Sequence, residues 1–183
     1  LFGAILAGTI GLAAGSAHAQ QTFYSSSFEG TDGGWTGTND WQRGVPALFT
    51  QTDPPCDNFA INPPASAGDG TECWGTNLVG CHNFSLTNSL TQTFNLAGWT
   101  SVRLKFLEWE DSGGNTFDMC TVHVNGTQVY LGDGAEQWTE RDLDIASLAD
   151  NNGSVTIEFR FLTTATVNRA GFYVDNVRIE GSS

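Results

Sequence analysis

Basic side chains are scarce in this chain. Seven lysines and arginines stand against 20 aspartates and glutamates, giving a formal net charge of −13 over 183 residues. The seven are scattered and form no basic patch. Such a chain repels phosphate backbones and anionic lipid, so nucleic-acid binding and docking to an anionic membrane are the wrong classes. Divalent cations suit it. Helical patterning is missing too: no apolar stripe is sustained over three helical turns. There is no internal repeat, no G-x-S-x-G elbow and no H-E-x-x-H helix, which removes the usual signatures of α/β-hydrolase and zinc-protease chemistry. No C-x-x-C pair occurs, so a zinc–thiolate site is not expected.

One apolar run exists. Residues 1–15 are apolar or small, and Ala17-His18-Ala19 before Gln20 matches a small-x-small cleavage site. The segment reads as the apolar and cleavage part of a secretory signal, with its basic start missing. It is too short and too rich in Gly and Ala to span a bilayer well. The expected organisation is a signal segment over 1–19 and a single domain over 20–183, with no membrane insertion of the mature chain. Behind a secretory signal, the four cysteines Cys56, Cys73, Cys81 and Cys120 are expected in disulfides. Three connectivities are open. Closing the Pro- and Gly-rich loop with Cys56–Cys73 is the first expectation, which leaves Cys81–Cys120.

What is present is strand patterning. Short alternating segments are separated by Gly and Asn turns, the signature of an antiparallel two-sheet β-sandwich. Strands are expected near 23–29, 41–44, 89–96, 101–110, 117–124, 127–131, 137–145 and 154–162. Asn125-Gly126 is a strong hairpin signal. Val155, Ile157, Phe159 and Phe161 alternate with Thr156, Glu158 and Arg160, so one face is expected to be buried against Val102, Leu104 and Phe106. Residues 46–72 hold all five prolines and read as a long surface loop.

The last strand, 170–180, carries the sharpest local signal. Phe172 and Val174 share one phase, while Val177 and Ile179 fall in the other. Both pairs reach a core only if a β-bulge sits at Asp175-Asn176. A carboxylate held there needs a partner, and a hard cation is the simplest one.

Several segments coincide with a known family. Ser27-Phe28-Glu29-Gly30 with Gly34-Trp35, Cys73-Trp74-Gly75-Thr76-Asn77-Leu78, the expected hydrophobic hairpin of Leu90 to Leu96 and Val102 to Phe106 joined across Ala97-Gly98-Trp99, and Gly171-Phe172-Tyr173-Val174-Asp175-Asn176-Val177 together resemble MAM-like jelly-roll domains. They look closest to the accessory domains of bacterial secreted proteins, including metallopeptidases of the immune inhibitor A type. The resemblance implies an all-β jelly roll with Ca2+ near the first and last strands, held by Glu29 and Asp175, with Asp32 as a further candidate. The four-cysteine pattern of the eukaryotic domains is not reproduced, and no peptidase domain is present in this sequence.

Glu108 and Glu110 share one face of a strand, as glycosidase carboxylates do. Their order does not match the Glu-x-Asp-x-x-Glu arrangement of jelly-roll glycosidases, and with Asp111 they read as an acidic strand end. Six tryptophans are many for this length. Trp35, Trp41 and Trp74 are the candidates for stacking on sugar, against the alternative that they plug the ends of the sandwich. The expectation is a secreted, non-catalytic module, stabilised by calcium and disulfides, that recognises glycan or protein at the cell surface. The alternatives are a self-associating subunit of an extracellular layer and, last, a glycosidase.

Overall fold

A computed structural model describes residues 19–53, 56, 60–114 and 116–183. Nearly all of the expected signal segment lies outside the described residues. The described chain forms the two antiparallel sheets expected of a β-sandwich.

In chain order the elements are β1 (Gln21–Ser26), β2 (Thr36–Gly37), β3 (Trp41–Gly44), β4 (Cys73–Thr76), β5 (Thr87–Phe94), β6 (Thr100–Asp111), β7 (Met119–Val124), β8 (Thr127–Leu131), β9 (Thr139–Asp144), α1 (Ala146–Ala149), β10 (Val155–Leu162) and β11 (Gly171–Ser182). Sheet A runs β3-β4-β11-β6-β9, with β1 also on β11; sheet B runs β2-β5-β10-β7-β8.

The inner faces are those that the alternation marks. Val155, Ile157, Phe159 and Phe161 are fully buried with Val102, Leu104 and Phe106, and the Phe106 and Phe159 rings meet edge to face at 5.0 Å. The segments before and after Ala97-Gly98-Trp99 look continuous in sequence, but they are not a hairpin. β5 lies in sheet B and β6 in sheet A, so the connection arches over the core.

β11 has the bulge that its broken phase requires. Its register on β6 slips between Asp175 and Arg178, and Asn176 takes φ +44°. Phe172, Val174, Val177 and Ile179 all reach the core. The slip has a topological counterpart. Before the bulge, Tyr173 and Val174 pair with β4; after it, Val177 to Gly181 pair with β1. The bulge therefore sits at the notch where β1 ends and β4 begins.

The described residues between 46 and 72 are not a free surface loop. They fold back on the outer face of sheet A, where Phe49, Ala67, Cys73, Leu78, Cys81, Ala170 and Tyr173 form a second apolar cluster. The staple is Cys56–Cys81, with Cα atoms 5.1 Å apart, which corrects the expected pairing. The Ala47 N–H bonds the Leu78 carbonyl, so the strand flanks run side by side and bring Cys81 under the loop. Cys73 and Cys120 are free and buried. They cannot pair with each other in place, because Cys73 belongs to the outer cluster and Cys120 to the core between the sheets.

Candidate functional site

Three arrangements carry chemistry. The first is the notch at the bulge. Phe28 is fully buried and takes φ +60°, an unusual turn for a bulky residue, as the chain leaves β1. Glu29 follows and meets the loop before β4. Its carboxylate accepts the N–H groups of Thr71 and Glu72 at 2.7 and 2.8 Å and the Thr71 hydroxyl at 2.7 Å. These bonds hold it below the usual carboxylate range. Gly70 makes the approach possible: at φ +71°, a Cβ there would come within 2.4 Å of Glu29 Oε1.

Asp175 reaches the same loop from β11. It is fully buried and accepts the Asp69 N–H at 2.8 Å and the Asn176 N–H at 2.6 Å. Burial pushes its carboxyl up to about 6, against those amide bonds and with the Asp69 charge adding to the rise. Glu29 and Asp175, 146 residues apart, thus converge on residues 68–72, and burial, then the charges of Asp175 and Glu29, raises the Cys73 thiol beneath them. Oxygen donors and a buried carboxylate that two amides leave undercompensated fit a hard cation. Asp32 sits elsewhere in use: its carboxylate accepts the Gly34 N–H at 2.8 Å within its own turn.

The second arrangement lies on the opposite face of sheet A, between the sheets. Glu108 and Glu110 are fully buried there; Asp111, nearly as buried, turns to the outer face, where it accepts the Asn62 N–H at 2.7 Å and pairs with Arg169. The expected acidic strand end is therefore not solvated. The sequence held a signal for this: Glu108 and Glu110 continue the inward phase of Val102, Leu104 and Phe106. Tyr130 of β8 and Arg141 of β9 each donate to Glu108 Oε1 at 2.5 Å. Gly134 N–H donates to Glu110 Oε2. Arg141 also bonds Asp133 at 2.5 Å. Burial, then the charge of Glu110, pushes Glu108 up to about 7, and burial raises Glu110 as well. Neither carboxylate faces solvent, so neither reaches a polysaccharide in this arrangement.

The third arrangement is aromatic. Trp35, Trp41 and Trp74 are 2, 5 and 7% exposed, so they plug the core and offer no face to a sugar. The correction is one of packing: the ends of the sandwich are wide, and indoles fill them. Trp109 and Trp138 instead stand half-buried on the outer face of sheet A, edge to face at 6.1 Å. Their ring N–H groups bond the Asn62 and Ser66 carbonyls of the overlying loop. The Asn62 amide bonds Glu136 beside them.

An open depression lined by Gln20, Ser101, Arg103, Asp144, Ala146, Asp150 and Ser182 lies away from all three and contains no aromatic residue. No described helix is long and apolar enough to cross a membrane.

No family model and no curated protein matches the chain. Solved structures do. The K2 cleaved adhesin domain of Lys-gingipain is similar with a TM-score of 0.51 at 14% identity, over 90% of this chain and 100% of that one. The carbohydrate-binding module TmCBM61, in complex with β-1,4-galactotriose, gives 0.48 at 13% identity, over 79% of this chain and 86% of that one. A family 35 carbohydrate-binding module from Clostridium thermocellum gives 0.44 at 14% identity, over 88% and 97%. At such identities, the likeness to the adhesin domain speaks for a shared β-sandwich fold alone.

Proposed function

We propose that this chain is a secreted, non-catalytic binding module of the MAM-like jelly-roll kind that recognises extracellular glycan and is braced by calcium. The observation that carries the reading is the Trp109–Trp138 pair. Two partly exposed indoles lie beside Asn62 and Glu136, which supply the hydrogen-bonding groups that sugar hydroxyls need. The K2 cleaved adhesin domain, whose fold this chain shares, is by name an adhesin, which supports a binding role. The Cys56–Cys81 staple supports an oxidising compartment.

Glu29 and Asp175 would hold the calcium ion, which would tie the loop at 68–72 to β11. That loop leads directly back to Ser66 and Asn62, so the brace would also fix the aromatic face.

A glycan array probed with wild type and Trp138→Ala tests the reading. Wild type is expected to retain a defined glycan class, and the variant to lose it while its far-ultraviolet dichroism is unchanged. No retention by wild type, or equal retention by both, would sink it.

The second reading, a protein partner or self-association, has one observation in its favour. Val45, Leu48 and Val79 are 60, 70 and 64% exposed on adjoining loops. A size distribution that shifts with protein concentration is its signature.

A further inference from the structure

We propose that the interior carboxylates form a second cation site, in which Glu108, Glu110 and Asp133 ligate a hard divalent ion between the sheets. The site is separate from the Glu29–Asp175 notch. Asp175 is paired with Leu107, one residue before Glu108, and strand alternation sends the two carboxylates to opposite faces of sheet A.

Geometry comes first. One carboxylate oxygen from each of Glu108, Glu110 and Asp133 can be chosen so that all three lie within 4.8 Å of one another. Exposed acids often cluster without an ion, but Glu108 and Glu110 are buried. Glu108 Oε2 is buried and has no hydrogen-bond partner, and beyond the Gly134 N–H the Glu110 carboxylate has only the weak Cys120 thiol, although both residues are completely shielded from solvent. An orphaned oxygen on a buried carboxylate is costly and rare in folded proteins, and it calls for a cation or a proton.

Charge agrees. Three carboxylates face one guanidinium, Arg141, which leaves 3 − 1 = 2 negative charges, the complement of a divalent cation. The other polar groups against the cluster, Tyr130 and Cys120, are neutral when protonated. The donors are carboxylate oxygens, which select hard ions.

The surroundings are built to hold the acids in place. Gly132-Asp133-Gly134 joins β8 to β9 and closes the flank between the sheets. A Cβ on Gly132 would fall 1.6 Å from Glu110 Oε1, so only glycine permits this approach. Arg141 grips Glu108 and Asp133 together.

Mn2+ binding, counted by electron paramagnetic resonance, tests the proposal on wild type, Asp175→Asn, Glu110→Gln and Asp133→Asn. Asp175→Asn should retain one equivalent of Mn2+ at the interior. Adding Glu110→Gln or Asp133→Asn to it should abolish that equivalent. Asp133 is exposed, so its variant guards against a folding defect in the Glu110 variant. If both interior variants keep every equivalent that wild type binds, or wild type binds none, the proposal is overturned. Failure at the notch reads out separately, as an Asp175→Asn variant whose Mn2+ count equals that of wild type.

Discussion

Two groups of acids flank the β6–β11 pair, one on each face, and they are satisfied in different ways. On the outer face, Glu29 and Asp175 have every oxygen bonded, chiefly by backbone amides of residues 69–72 and 176. On the inner face, Glu108 keeps an orphaned oxygen, and beyond the Gly134 N–H the Glu110 carboxylate has only the Cys120 thiol. Each group is wrapped by a turn with a glycine that lets backbone approach a carboxylate, Gly70 outside and Gly132 inside. The difference comes from what lies opposite. A loop can turn its N–H groups toward a charge; the strands of a facing sheet have already spent theirs on the ladder. Burying a carboxylate against a loop is therefore less costly, although Asp175 is still raised to about 6, whereas burying it between sheets leaves oxygens without donors and calls for a cation or a proton.

The largest expected effect breaks the inner side. Phe159→Ala removes a ring that packs on Phe106, Trp35 and Phe172, and should cost about 3–5 kcal/mol in urea unfolding. A loss below that of an ordinary surface change would mean that β10 does not face β6.

The next breaks the outer side. Replacing Cys56 and Cys81 by serine reopens a 25-residue separation and should cost about 3 kcal/mol, with the roof over Asp175 loosened first. Thiol titration of the unfolded, unreduced wild type should find two reactive thiols, Cys73 and Cys120. Finding none would mean that Cys73 and Cys120 are also in disulfides.

A pH series sharpens the contrast. Glu108 is raised in the fold from 4.5 to about 7. A raised carboxyl contributes stability that is complete below its unfolded value and lost as pH climbs through its folded one. In chelator, stability should therefore fall by roughly 2 kcal/mol between about pH 4.5 and 7, and Glu108→Gln should flatten the slope. A slope of the opposite sign would mean that the carboxylate is fully compensated without metal.

The smallest effect is the control. Glu158 lies on the outer face of sheet B, paired with Arg160, and Glu158→Ala should cost under about 1 kcal/mol. A larger shift than that of Phe159→Ala would put the strand out of register.

The strands that alternate cleanly were legible, and so was the bulge, because period 2 leaves no other way to bury both Phe172 and Val177. β3 and the Asn125-Gly126 turn were legible for similar local reasons. The arch between β5 and β6 was not, since two apolar segments joined by a short turn look the same whether they pair or face each other across a core. Disulfide partners depend on how a long loop lies, which spacing does not encode. Trp35 and Trp41 stand in or beside turn-rich segments, yet they are core, because burial of an indole is decided by the three-dimensional end of the sandwich. The burial of Glu108 and Glu110 could have been read from their phase with Phe106. Charge argued against it, and only the facing Tyr130, Arg141 and Gly134 explain how it is tolerated.

Thermal melting of wild type and Asp175→Asn, each in calcium and in chelator, tests the brace most directly. A ligand held only by the folded state adds about 2.7 kcal/mol at a hundredfold excess over its Kd. The account predicts that calcium raises the wild-type melting temperature and that Asp175→Asn loses much of this gain. Equal calcium shifts in both proteins, or no shift in a folded wild type, would contradict it.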